Sequence, residues 1–367
     1  MRIGGKLYRS IWVREDNPGV VSVIDQRKLP FEFTVCELRT VEDAFRAITD
    51  MVVRGAPLIG VTAAFGVYLA AMNSSKEEFE KMFCRGFKPP GKEKEEEGVA
   101  DFMKSARPTA VNLQYAVDLM MQEVDCSGSR EGMIDRLFHR AMKLAEDEVS
   151  RCRMIGEHGL KIIRELYKKK KRVINILTHC NAGWLGCVDY GTATAPIYMA
   201  HDAGIPVHVW VDETRPRNQG SRLTAYELGE HGVPHTVIVD NAGGHLMQRG
   251  EVDIVIVGSD RTTRNGDVAN KIGTYLKALA ARDCGVPFYV ALPSTSIDYG
   301  MEKGRDIEIE ERDGREVTHV AGWDEDAMVE REVRILPEGS AVRNPGFDIT
   351  PGRLVTGFIT EKGVSKG

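Results

Sequence analysis

Hydrophobic and polar positions along this chain follow two rhythms, which change over near residue 168. In the first stretch, apolar residues recur mostly at helical spacing. Val41, Ala44, Phe45, Ile48 and Met51 share one face of a helix that Thr40 would cap, with Asp43 in the place of a capping-box glutamate. A second helix is predicted over 58–72, behind Pro57, and others over 109–123, 130–150 and 154–168. Only the opening departs from this rhythm. Residues 6–13 and 20–25 are β-branched and aromatic, and Asp16-Asn17-Pro18-Gly19 between them is a turn sequence. Residues 76–98, with the charged run 92–97, read as a solvated surface insert.

The basic residues at 168–172 read as a charged helix C-terminus running into a strand, since cations are favoured at that end of the helix dipole. Beyond them, apolar runs at 173–178, 207–211, 236–239, 253–257 and 288–291 alternate with helix-compatible stretches at 194–201, 221–231, 244–249 and 272–284. Short strands rich in Val and Ile, separated by helices, predict a mostly parallel sheet covered on both faces, with right-handed crossovers. The expected fold is α/β. A mainly helical N-terminal domain with a small β element takes residues 1–168, and a doubly wound, Rossmann-like domain takes 169–367.

Composition narrows the class. Across 367 residues, 42% hydrophobic with 37 Gly and 15 Pro is a globular balance. Lys and Arg total 49 against 54 Asp and Glu, a net charge of −5 that points away from nucleic-acid and membrane-surface partners. The cysteines are scattered without a CxxC pair, which indicates neither a disulfide framework nor a thiolate metal cage. The uncharged stretch 55–75 is long enough to span a bilayer, but its glycines, serines and alanines suit a buried helix better. With no apolar signal segment at the start, a cytoplasmic protein is expected.

Polar residues gather at the ends of the predicted strands, where open α/β sheets place their ligands. Cys180, flanked by Asn181 and Gly183, is either a small buried hydrophobe or a thiol able to exchange protons. His179 beside it would point to the opposite face, and Cys187 reads as packing. Asp260 follows an apolar run, so it is used, caps the next helix, or pairs with Arg261. Arg54-Gly55-Ala56-Pro57 and Arg107-Pro108-Thr109 each precede a helix, whose first amides attract anions. Asn265-Gly266-Asp267 and Asn270-Lys271-Ile272-Gly273-Thr274 add amide, ammonium and glycine. Neither a GxGxxG nor a GxxxxGK[ST] loop is present, so no nucleotide cofactor is expected. Asp212-Glu213 could bind Mg²⁺ or orient Arg215 and Arg217, and without a histidine cluster no metal is expected.

Several motifs together carry a family resemblance. They are Ile24-Asp25-Gln26-Arg27 with Leu29-Pro30, Arg54-Gly55-Ala56-Pro57, Arg107-Pro108-Thr109-Ala110-Val111-Asn112-Leu113 and Thr178-His179-Cys180-Asn181-Ala182-Gly183. With them go Asp212-Glu213-Thr214-Arg215-Pro216, Gln219-Gly220, Arg222-Leu223-Thr224, Asp260-Arg261, the run 265–274 and the run 344–351. In these the chain resembles the methylthioribose-1-phosphate isomerases, aldose–ketose isomerases of methionine salvage related to regulatory subunits of translation initiation factor 2B and to ribose-1,5-bisphosphate isomerase. The resemblance implies Cys180 and Asp260 as catalytic residues, and Arg54, Gly55, Ala56, Arg107, Gln219, Asn270 and Lys271 as substrate and phosphate contacts. It further implies a sugar phosphate substrate, no cofactor and a homodimer. Departures at Ser259, Thr262-Thr263-Arg264 and Trp184-Leu185-Gly186-Cys187 bear on which sugar is taken. The alternatives are 5-deoxyribose 1-phosphate, ribose 1,5-bisphosphate, or a non-catalytic regulatory subunit.

Overall fold

A computed structural model describes residues 1–85, 98–107 and 110–367, so the charged run 92–97 and Pro108-Thr109 lie outside the described residues. Near the N-terminus, Ile11–Arg14, Asn17–Ile24 and Val35–Leu38 form a three-stranded antiparallel sheet. The expected strand over 6–13 is broken. Lys6–Leu7 pairs with Arg2–Ile3 instead, because Ser10 leaves the strand to donate its backbone N–H to the Val188 carbonyl, 3.1 Å away. The turn is also one step earlier than expected. Arg14 faces Asn17, so Glu15 and Asp16 reverse the chain and Asn17-Pro18-Gly19 already belong to the second strand.

Thr40 caps Val41–Thr49 through a complete capping box, with Asp43 serving where glutamate is usual. Helix Ala56–Asn73 is long and apolar enough to cross a membrane, yet it is buried along nearly all its length. It packs against Val41–Thr49, Val111–Met121 and the long helix Arg130–Lys170, and an all-apolar helix is what such a central position requires. Part of the expected surface insert is packed rather than solvated. Helix Lys76–Phe79 and the π-helical turn Glu80–Arg85 bury Phe79 and Met82 in the same core. Cys84 and Cys126 form a disulfide, a pairing that the scattered cysteines do not suggest.

The two helices expected over 130–150 and 154–168 are one, Arg130–Lys170. The polar residues between them do not break it, because Arg151 pairs with the buried Glu148 and Cys152 is buried. Farther along, Gly159 lets helix Ala195–Asp202 approach so closely that a Cβ there would lie 2.4 Å from Pro196 Cγ. The helix ends at Lys171, in the left-handed region with φ 51°. Lys170 and Arg172 then pair with the buried Asp253, which also accepts from the Asn175 amide. One carboxylate thus ties the helix end to the starts of two neighbouring strands.

All five expected strands are present, as Ile174–Thr178, Val207–Asp212, His235–Ile238, Ile254–Val257 and Phe288–Ala291. Gly357–Thr360 supplies a sixth, and Gly363–Lys366 adds an antiparallel edge. Numbered along the chain, the six parallel strands lie in the order 3-2-1-4-5-6, the doubly wound arrangement. The order reverses at Ile174–Thr178, which pairs with Val207–Asp212 on one side and Ile254–Val257 on the other. A smaller sheet beside it joins Arg261–Thr263, Val268–Lys271 and Phe347–Thr350. Asn265-Gly266-Asp267 closes a hairpin of that sheet, with Asp267 accepting from the Gly304 and Gly352 amides, so this motif is structural and not an anion cradle. Arg264 is exposed and does not line the cleft described below.

In an exposed helix alanine is worth roughly 0.5–1 kcal/mol more than glycine. Gly159→Ala should reverse that sign and destabilise by about 1–3 kcal/mol, the range for overpacking. Gly244→Ala, in helix Ala242–Gln248, brings its Cβ 3.5 Å from Ala280 Cβ, an ordinary contact, and should hold or raise stability. Denaturant unfolding of the two variants checks the contrast, and equal effects would contradict it.

Candidate active site

Two loops leave the sheet where its order reverses. One follows Ile174–Thr178 and carries Cys180, and the other follows Ile254–Val257 and carries Asp260. Strands that diverge at their ends leave a crevice between them. The crevice is a cleft with roughly 700 Å³ of atom-free space, part of it open to solvent. Cys180, Asp260, Arg54, Gly55, Ala56, Arg107, Gln219, Asn270 and Lys271 all line it.

Each arrives by a definite route. Cys180 has φ 64°, a conformation uncommon outside glycine. It is held there by its own amide, which donates to Thr214 Oγ1 at 2.9 Å, and by its carbonyl, which accepts from Thr224 Oγ1 at 2.7 Å. Arg54 donates from Nη1 to Asn181 Oδ1 at 2.6 Å and from Nη2 to the Asn181 carbonyl at 2.7 Å. Gly55, at φ 96°, must be glycine, since a Cβ would lie 2.2 Å from the Gly186 carbonyl oxygen. Next to it starts helix Ala56–Asn73, so the positive end of a long helix faces the cleft. Asn270 and Lys271 lie on Val268–Lys271, with the ammonium 4.7 Å from the centre of the Phe347 ring. Gln219 is buried, and its Oε1 has no protein partner.

Burial shapes the electrostatics. It pushes the Cys180 thiol up, while Arg54 and Lys271 draw it back. It also raises the Asp260 carboxyl, against the pull of Lys271, Arg107 and Arg54. Burial lowers the Lys271 ammonium, which Cys180 and Asp260 oppose. Desolvation therefore favours the neutral form of all three groups. Asp260 is also not spent on its neighbour, because Arg261 pairs with Asp298.

Asp212 does not serve Arg215 and Arg217. It accepts from His179 Nδ1 at 2.8 Å and pairs with Lys277 at 3.2 Å, while His179 Nε2 faces the Ile272 carbonyl at 2.9 Å. The ring thus fastens the strand that precedes Cys180 to the turn that follows Lys271. Among the described residues, His179, Asp212 and Asp240 are a group spaced to hold a cation, and the Lys277 ammonium supplies one there.

Two sets of residues escaped the sequence reading. Glu310, Arg312 and Glu316 build an ion chain that starts at the cleft residue Arg107, running Arg107–Glu310–Arg312–Glu316–Arg217 with contacts of 2.7–2.9 Å. Their only signal is a dense alternation of charge, which solvated loops share. Ile59, Ala110, Ala269, Ile307 and Ile309 form the apolar side of a recess of about 520 Å³, part of it open to solvent, that shares Gly55, Ala56, Arg107, Asp260 and Phe347 with the cleft and carries Arg261 and Glu308 on its polar side. Its walls come from distant segments, so no local pattern marks them.

Residues 52–367 match the initiation factor 2 subunit family. A methylthioribose-1-phosphate isomerase from Desulfatibacillum aliphaticivorans is 56% identical over 370 residues, covering 100% of this chain and 96% of its own. The crystal structure of 5-methylthioribose 1-phosphate isomerase from Pyrococcus horikoshii OT3 superposes with a TM-score of 0.82 at 38% identity, over 98% of this chain and 93% of that one. A structure described as translation initiation factor eIF-2B, subunit delta, from A. fulgidus gives 0.78 at 37% identity, over 98% and 96%.

The raised Asp260 carboxyl has a consequence for stability. A carboxyl that holds its proton more tightly when folded adds stability below its unfolded value and loses it as pH rises through its folded value. Wild type therefore carries the cost of a buried charge at neutral pH, and Asp260→Asn does not. The variant should be the more stable at pH 7, with the gap closing toward about pH 4, near the ordinary carboxyl range. Unfolding of both proteins across pH measures the difference, and an Asn variant less stable at pH 7 would contradict it.

Proposed function

Since the chain belongs to the initiation factor 2 subunit family and, within it, to the methylthioribose-1-phosphate isomerases, we propose that its cleft turns 5-methylthioribose 1-phosphate into 5-methylthioribulose 1-phosphate, with Cys180 and Asp260 as the reacting pair. It is an enzyme, an aldose–ketose isomerase of a sugar phosphate. The observation that carries the assignment of residues is the meeting of Cys180 and Asp260, from the two strand ends at the order reversal, in one cleft with Arg54, Arg107 and Lys271.

A furanose 1-phosphate is locked at its anomeric carbon and cannot open as a free sugar does. An acid must protonate the ring oxygen as it leaves, and the phosphate must be held while C1 becomes electron-poor. A carboxyl raised by burial keeps its proton closer to neutral pH, which suits Asp260 to the acid step. Arg54, Lys271 and Arg107 supply charge for the phosphate, with the helix start at Gly55 and Ala56 adding its positive end. Cys180, as the thiolate that Arg54 and Lys271 favour, takes the C2 proton to leave an enediol and returns it to C1. Asp260, having given its proton to the ring oxygen, takes one from the C2 hydroxyl. The competing route is a hydride shift from C2 to C1, in which Cys180 and Asp260 move only oxygen-bound protons. The apolar side of the recess, Ile59, Ala110, Ala269, Ile307 and Ile309, is where the methylthio end packs.

Turnover of 5-methylthioribose 1-phosphate should exceed that of 5-deoxyribose 1-phosphate and ribose 1,5-bisphosphate when initial rates are compared, and faster bisphosphate turnover would overturn the substrate reading. Cys180→Ser and Asp260→Asn should each lower kcat by roughly 10²–10⁴-fold while substrate binding changes far less. A folded variant that keeps more than about a tenth of wild-type kcat would remove that residue from the chemistry. Deuterium at C1 of product made in deuterium oxide marks the enediol route, because a hydride shift carries the C2 hydrogen to C1 without exchange.

A further inference from the structure

We propose that Glu227 is a positioning residue, a buried carboxylate that acts through Asn181 to aim the Arg54 guanidinium into the cleft. The inference rests on the isomerase reading above and concerns how its anion grip is built.

Glu227 lies on helix Ala225–His231 and is 1% exposed. Its Oε1 accepts from Asn181 Nδ2 at 3.0 Å and from the Leu185 amide at 2.8 Å. Its Oε2 accepts from the Trp184 amide at 3.2 Å and from the Tyr198 hydroxyl at 2.8 Å. All four partners donate. A carboxylate meets them with acceptors only, whereas a glutamine would turn an NH₂ group against at least one backbone N–H, that of Leu185 or of Trp184. The loop is drawn tightly onto this carboxylate, since a Cβ on Gly183 would lie 1.7 Å from Glu227 Oε2.

The consequence passes outward by one residue. With its NH₂ group held by Glu227 and Thr224, Asn181 can present only oxygens on its other side, and both of them take Arg54. Among the described residues Arg54 has no carboxylate partner, in contrast to Arg107, which is paired with Glu310. Neutral oxygens therefore orient the guanidinium while its charge stays available to an anion. A carboxylate in direct contact would order Arg54 equally well and cancel much of that charge, because ion pairing weakens with distance. Setting the carboxylate behind Asn181 gives order without neutralisation.

A double-mutant cycle with Glu227→Gln and Arg54→Ala tests this, read by KM, kcat and the Kd of inorganic phosphate from calorimetry, with thermal melts for each variant. Glu227→Gln alone should raise KM and the phosphate Kd about tenfold and lower kcat less than about threefold. In the Arg54→Ala background the same change should move the phosphate Kd by less than about twofold, since the residue it acts through is gone. An equal loss in both backgrounds, or unchanged phosphate binding in a folded Glu227→Gln protein, overturns the proposal. Should Glu227→Gln fail to fold, Glu227→Asp takes its place in the cycle, because it keeps the charge and draws the carboxylate back from Asn181. Tyr198→Phe removes a Glu227 partner off the path to Arg54. It should leave the phosphate Kd within about twofold of wild type, and a loss as large as that of the Glu227 variant would show a merely structural role. Phosphate binding needs no turnover, so a wild-type protein without isomerase activity would fail the functional reading and leave the cycle still able to decide this one.

Discussion

The reversal of strand order at Ile174–Thr178 is the constraint from which the site follows. Chain leaving that strand runs toward Val207–Asp212, while its other neighbour, Ile254–Val257, sends its own chain the opposite way. No backbone fills the space between them, so side chains must. Cys180 and Asp260 reach it from the two diverging ends, and the N-terminal helices supply the opposing wall with Arg54, Gly55 and Ala56. The core helix Ala56–Asn73 therefore has two tasks: its body fills the N-terminal core, and its first turn closes the cleft.

Within the cleft, burial and charge act against each other on the same few groups. Desolvation drives the thiol, the carboxyl and the ammonium toward neutrality; Lys271 opposes this at both acids and they oppose it at Lys271, while Asp260 pushes the Cys180 thiol up further. Such a set responds as a unit: a proton moved at one member changes the field at its neighbours. This suits a reaction in which protons pass between neighbouring carbons and oxygens with no net gain or loss.

Much of the architecture was legible because it rests on local pattern. Val- and Ile-rich runs with polar ends gave away the parallel strands, and Thr40 with Asp43 marked a helix start that the capping box realises. What stayed hidden depends on contacts between distant segments. Residues 151–153 look like a polar break until Arg151 is seen pairing with buried Glu148. Lys6–Leu7 and Ile11–Arg14 read as one strand until Ser10 reaches the Val188 carbonyl, far along the chain. Eight of the nine cleft residues stood out at strand ends and helix starts, the family motifs added Gln219 and implied the roles of all nine, and Glu227 was marked by neither. A lone glutamate on a helix looks like a solvated one, and only tertiary structure brings four donors to it.

The ion chain that begins at Arg107 changes what an entering anion gains. Arg107 already has a carboxylate in Glu310, and Glu310 shares itself with Arg312. That pair uses Arg107 Nη2 alone and leaves Arg107 Nε without a protein partner, so an anion can take Arg107 with the carboxylate still in place. Arg312 draws on the other oxygen of Glu310. Entry then meets a cation already partly neutralised rather than a bare basic pocket, and added salt, which screens both pairs, weakens such a contact less than the number of cations would suggest.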